Sequence, residues 1–150
     1  MSANSRPALL FFVSIALLIA IVASVYFRQS PEEHLQPLQI AGNTAHVSIA
    51  DTAEKRELGL SGRAGLAPDE GMLFIFPTEG KYSFWMKDMR FAIDILWIAS
   101  DGTIVYTKEG ASPDTFPQTF VSYTPAQYVL EVSSGYIMRH RISIGQKVER

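Results

Sequence analysis

Residues 71–102, GMLFIFPTEGKYSFWMKDMRFAIDILWIASDG, decide the fold. Met72 to Phe76 (MLFIF) is too apolar and aromatic for a strand with one wet face, which predicts a strand buried on both sides. PTEGK at 77–81 supplies a turn, and Tyr82 to Met86 returns as a strand. Ile93 to Ala99 (IDILWIA) is a second apolar run, and Thr103 to Lys108 (TIVYTK) follows it across Ser100-Asp101-Gly102. Asp-Gly between two strand-like runs is a strong hairpin signal, because Gly adopts positive φ without steric cost.

Working outward, Thr44 to Ala50 (TAHVSIA) alternates apolar and polar residues and predicts a half-buried strand. Asp51, Thr52 and Glu54 form a helix-start pattern, so a short helix is expected from Thr52 to Leu58, ended by Gly59. The glycine-rich loop after it carries Arg63. On the other side, residues 110–127 hold Pro113, Pro117 and Pro125 among Phe116, Phe120 and Tyr123, which predicts a long loop folded over the sheet as a lid. Tyr128 to Val132 reads as a strand with Glu131 opposite Leu130; one helical turn over Tyr136 to His140 and a last strand over Arg141 to Val148 complete the chain. Six or seven short strands with turn-rich connections predict a mainly β domain, an antiparallel β-sandwich or partly closed barrel with one or two short helices.

A different kind of sequence precedes this domain. Residues 8–27, ALLFFVSIALLIAIVASVYF, carry no charge, and about 20 apolar residues at 1.5 Å each match a hydrocarbon core of roughly 30 Å. An N-terminal transmembrane helix within an anchor over residues 1–28 is therefore expected, with the lipid bilayer as its partner through residues 8–27. A signal peptide cleaved near Val22-Ala23-Ser24 is the alternative. Residues 29–37, QSPEEHLQP, read as an extended tether, and 38–150 as one globular domain. A short basic leader ahead of the span favours an N-terminus in the cytoplasm. The expected localisation is thus the cytoplasmic membrane, single-pass, with the C-terminal domain on the extracytoplasmic side.

Beyond Ser30 the chain has eleven Lys and Arg against fifteen Asp and Glu, a formal charge of −4. A mildly acidic, mixed surface offers no electrostatic footprint for nucleic acid. Cysteine is absent, which excludes disulfides, thiolate metal sites and a cysteine nucleophile.

In order and spacing, DTAEKRELGLSGR, GMLFIF, FWMKDMRFAIDILWIASDGTIV and YVLEVSSG resemble the DUF192 family, also called UPF0127. The resemblance covers nearly all of the chain beyond the tether. It implies a compact, jelly-roll-like β fold, often on exported or membrane-anchored proteins, and no established activity. Matching family positions include Asp51, Gly59, Arg63, Gly71, Met72, Met86, Asp94, Gly102 and Glu131. The chain departs from the family at Ala92, where relatives have proline, at Ser61, where many have methionine, and in lacking the loop cysteines of many relatives.

Asp94 within IDILWI poses the main chemical question, because a buried carboxylate is costly unless paired or richly hydrogen-bonded. Arg63 is the expected partner, since its planar fork can hold a carboxylate bidentately. The candidate site is Arg63, Asp94, Trp85 and Met86, either a ligand site or a structural ion pair. A second reading takes Met72, Met86 and Met89 as thioether ligands for Cu(I), with Trp85 over the ion; methionines beside aromatics also serve as core filler. A third is a glycan-acting hydrolase pairing Asp94 with Asp51 or Asp88. No nucleophile elbow, phosphate loop or HExxH motif is present, and no cofactor is expected. The sequence thus favours a membrane-anchored binding or accessory module over an enzyme.

Overall fold

The computed structural model describes residues 34–149. The expected membrane span at 8–27 and most of the tether lie outside the described residues. Among the described residues no helix is long and apolar enough to cross a membrane.

The first strand, β1 (Gln36–Ile40), starts two residues inside the expected tether and pairs with β2 (Asn43–Ala50) across a two-residue turn. Ala41 and Gly42 have φ of 50° and 82° there, as a tight primed turn requires. Proline is tolerated in β1 because the neighbouring strand on its other edge reaches only Gln39 and Ile40, leaving Pro37 at an open edge. Helix α1 (Ala53–Leu58) follows. Its N-cap is Thr52 rather than Asp51: the Thr52 hydroxyl accepts the Lys55 amide, and Asp51 instead bonds the Lys55 ammonium at 2.9 Å.

β3 (Glu70–Gly80) runs parallel to β2, the α1 crossover making that orientation feasible, and extends through residues expected to turn. β4 (Ser83–Trp85) leaves the main sheet, which resumes with β5 (Ile93–Ile98) and β6 (Ile104–Ala111). The expected Asp-Gly hairpin joins the last two: Gly102 has φ of 84°, and the Asp101 carboxylate accepts the Thr103 amide at 2.8 Å. The long loop is organised as expected only in part. It packs over the sheet, but through a short 3-10 turn (Pro113–Thr115) and β7 (Thr119–Val121), which pairs with β4 as a separate two-stranded sheet. β8 (Ala126–Ser133), α2 (Tyr136–His140) and β9 (Val148–Glu149) close the chain. The last strand expected from Arg141 is thus confined to two residues. Over 141–147 the amides bond turn and loop carbonyls, as when Ile142 N–H donates to Ile137 at 3.0 Å.

The main sheet has seven strands in the order β6-β5-β8-β3-β2-β1-β9 and is curled into a half-barrel. Its two edges are bridged at one end, where Thr103 pairs with Lys147 and the Val148 amide donates to Gly102 at 2.9 Å. Both faces of the central strands are covered, which explains why all six residues of β5 are buried. Leu73, Leu96, Leu130 and Val132 join Ile40, Val47, Tyr136 and Ile137 on one face. Met72, Phe74, Ile95, Trp97 and Val129 pack on the other beneath Phe84 and Phe120 of the small sheet. The Trp97 indole N–H donating to the Tyr82 carbonyl at 3.0 Å fastens that small sheet down.

Candidate functional site

Two carboxylic side chains lie within the buried strands, and strand alternation sends them to opposite faces. Asp94 in β5 follows Leu96 and Ile98 onto the face that packs against α2. One of its oxygens accepts the Gly110 amide at 2.9 Å and the other the Ile137 amide at 3.0 Å. Gly110 sits at an irregularity in the β5–β6 ladder, where Ile93 faces Ala111 but Ile95 faces Lys108, with φ of 57°. The bulge turns that amide out of the ladder and toward Asp94. Ile137 lies in the first turn of α2, whose N-cap, Gly135, provides no side-chain acceptor. Asp94 therefore caps from a distant strand a helix end that has no cap of its own.

Both Asp94 oxygens thus bond backbone amides, where the Arg63 guanidinium was expected. Arg63 acts on Glu131 instead, the residue of β8 registered between Met72 of β3 and Ile95 of β5. Glu131 is 5% exposed, and burial raises its pKa from 4.5 to about 8, with the Arg63 guanidinium pulling in the opposite direction. The carboxyl is thus protonated at neutral pH, able both to donate and to accept. Gly71 makes this strand pairing close: a Cβ there would lie 2.5 Å from the Glu131 carbonyl oxygen.

Glu131 forms part of the floor of a cleft of about 240 Å³. One wall is the end of α1 and the Gly59–Ser61 turn. That turn is held in place by the Ser61 hydroxyl, which donates to the Lys87 carbonyl at 2.9 Å, and by the Gly62 amide, which donates to Asp88 at 2.9 Å. The other wall is aromatic. Phe76 stacks on Tyr82 with centroids 3.5 Å apart, and Phe74 meets Phe84 edge-on at 4.8 Å. Arg56 lies over Phe76 at 5.3 Å and donates to the Ile75 carbonyl at 2.9 Å, fixing one rim. At the other rim stands Trp85, 51% exposed, its ring 5.9 Å from that of Phe116. Beyond Trp85 the cleft continues into an outer lobe of about 350 Å³ bordered by Glu54, Lys87 and Asp88; Glu57, Leu58, Ser61 and Trp85 border both.

Of the candidate residues, Trp85 and Met89 line this cleft, and Arg63 acts on its floor. Met86 alternates to the other side of β4 and is 1% exposed within the apolar cluster, and Met72 is buried beside it. For Met72 and Met86 this placement supports the core-filler role over a soft-metal one. Asp94 is sealed away from the cleft, so it cannot supply the acid–base partner of a hydrolase; Asp51 bonds Lys55 on the surface, and Asp88 borders only the outer lobe. The residue that sequence reasoning passed over is Glu131. Its signal was available, a carboxyl within the apolar run YVLEV, the same anomaly that singled out Asp94.

The DUF192 family model, described as an uncharacterised ACR, matches residues 36–150. Among solved structures, a Sinorhizobium meliloti 1021 protein provisionally described as a transcription regulator is similar at 36% identity and a TM-score of 0.71, covering 75% of this chain and 91% of its own. A protein of unknown function from Novosphingobium aromaticivorans DSM 12444 is similar at 25% identity and a TM-score of 0.75, covering 81% and 89%. No curated protein matches.

Two outcomes follow from the paired carboxyls. Asp94→Asn turns an acceptor into an amide facing two N–H groups, so chemical denaturation of the full chain should show a loss of about 1–3 kcal/mol; unchanged stability would contradict the capping role. Glu131 is protonated in the fold at pH values where the unfolded chain has already released the proton. Its contribution is fully present below about pH 4.5 and is lost as pH rises toward about 8. Stability should fall across that window at up to roughly 1.4 kcal/mol per pH unit. Glu131→Gln should remove that part of the slope in denaturation curves collected as a function of pH.

Proposed function

The chain belongs to the DUF192 family, and on that premise we propose that it is a membrane-anchored extracytoplasmic binding module whose ligand occupies the cleft between α1 and β4. The observation that carries this reading is the buried Glu131 carboxyl at the floor of an aromatic-walled concavity. Ligand sites pair apolar walls with few polar groups that set orientation, and a perturbed carboxyl there is a further mark of such a site. The Arg63 guanidinium is the charged group that acts on that carboxyl, which lines the cleft and can exchange hydrogen bonds with what enters.

Support for the anchor is the uncharged run at 8–27, and the lack of cysteine is compatible with an oxidising compartment. The regulator description of the Sinorhizobium meliloti protein finds no support in this chain's charge, which is −4 beyond Ser30 without a basic stripe.

The test is a small-molecule fragment screen on the full chain in detergent, read by amide NMR. Hits are expected to shift Gly59, Ser61, Ser83 and Trp85; hits that bind only elsewhere would overturn the cleft as the site. In cells, the chain should pellet with membranes and its domain should be cut by protease added from outside. A domain protected in intact cells and released by lysis would overturn the topology.

A further inference from the structure

Resting on the cleft as the ligand site, we propose that its ligand is a neutral oligosaccharide, with one sugar ring stacked on Trp85 and the neighbouring unit reaching down to the Glu131 carboxyl. Trp85 borders both lobes and is half exposed, so it stands as a platform between two compartments rather than as a plug in one. A ligand that fills both is elongated, with a bend or step at Trp85, as two linked rings have. The two lobes together fall within the roughly 300–1,000 Å³ typical of small-ligand sites.

Chemistry narrows the class further. A hydrocarbon chain would cover the Glu131 carboxyl without giving it a hydrogen bond, at a cost of about 1–3 kcal/mol. A polyanion would meet Glu54, Glu57 and Asp88 around the outer lobe. A compact cation would compete with the protein's own cations, because Arg56 already lies over Phe76 and Lys87 Nζ is 5.9 Å from the Trp85 ring. A pyranose avoids all three conflicts. Its C–H face suits the negative face of an aromatic ring, and its hydroxyl rim matches a floor and border of carboxyl, hydroxyl and guanidinium groups.

Glu131 gives this recognition a proton dependence. At neutral pH its carboxyl offers a donor and an acceptor to adjacent hydroxyls; above about 8 the donor is lost and a buried negative charge remains, which the Arg63 guanidinium offsets only in part. Glutamine reproduces the neutral form, with a donor and an acceptor but no titration.

The test is a titration of the full chain in detergent with chitotriose, cellotriose and maltotriose, read by amide NMR and tryptophan fluorescence. At least one is expected to shift Ser61, Ser83 and Trp85 with a Kd below about 10 mM, and Trp85→Ala to weaken it about tenfold or more, equivalent to 1.4 kcal/mol. Trp85→Tyr should restore most of the affinity. Affinity of the unsubstituted chain should fall between about pH 7 and 9, whereas that of Glu131→Gln stays level. If none of the three sugars shifts the cleft amides while fragments still do, the oligosaccharide is overturned and the cleft stands. If fragments also fail to shift them, both are overturned. Binding that survives Trp85→Ala unchanged also overturns the proposal.

Discussion

The Asp94 carboxylate holds three separate pieces of the chain in one arrangement. It accepts amides from Gly110 and Ile137, 16 and 43 residues away, and so fixes the end of β6 and the start of α2 against the centre of β5. Because β5 is buried on every residue, nothing else at that position could satisfy those two amides. Water is excluded, and an apolar substitute would orphan both. The bulge at Gly110 and the uncapped α2 are therefore tolerable only in the presence of this side chain. The edges of the curled sheet are bridged at one end by backbone pairing, whereas Asp94 ties β6 and α2 to β5.

Glu131 solves a similar problem in the opposite way. It occupies the neighbouring strand and the opposite face, where the surroundings are Met72, Ile95 and the aromatic wall rather than backbone donors. Burial without such donors pushes its proton affinity up, and the nearby Arg63 offsets this only in part. One face of the sheet has thus used its carboxyl to complete the fold, while the other holds a carboxyl that lines the cleft. Strand alternation separates the two roles, since neither group can reach the other's surroundings.

Much of the fold was legible because burial on both faces leaves a dense apolar signature. β3, β5, the Asp-Gly hairpin and α1 lie close to where their residues predict them. β1 was not legible, because QPLQI alternates weakly and contains proline, and its strand character comes from β2 and β9 rather than from its own composition. The same is true of β9, two residues long. The partner of Asp94 was out of reach for a deeper reason: backbone amides are identical at every position, so a carboxylate that bonds them leaves no complementary charge in the sequence to find. Arg63 was the natural choice among side chains. Its charge instead offsets part of the burial of the other carboxyl, on a face that only the tertiary placement of its loop decides.

The cleft follows from the same layering. α1 is only six residues long and buries none of them, so it cannot cover the face of β3 that it crosses. The small β4–β7 sheet covers the rest of that face and stops at Trp85. Between these two partial covers Phe76 and Tyr82 are partly exposed and Trp85 half exposed, Phe74 and Phe84 are buried, and Glu131 lines the same cleft. Neither element continues across the gap. The fold instead ends both elements early, one at Gly59 with φ of 51° and the other at the turn that leads to Asp88 with φ of 56°. Positive φ at Asp88, a non-glycine residue, is locally unfavourable, and the carbonyl of that residue accepts the Gly62 amide that holds the neighbouring turn. The opening between α1 and β4 is thus bordered by two turns that are tied to each other by that bond.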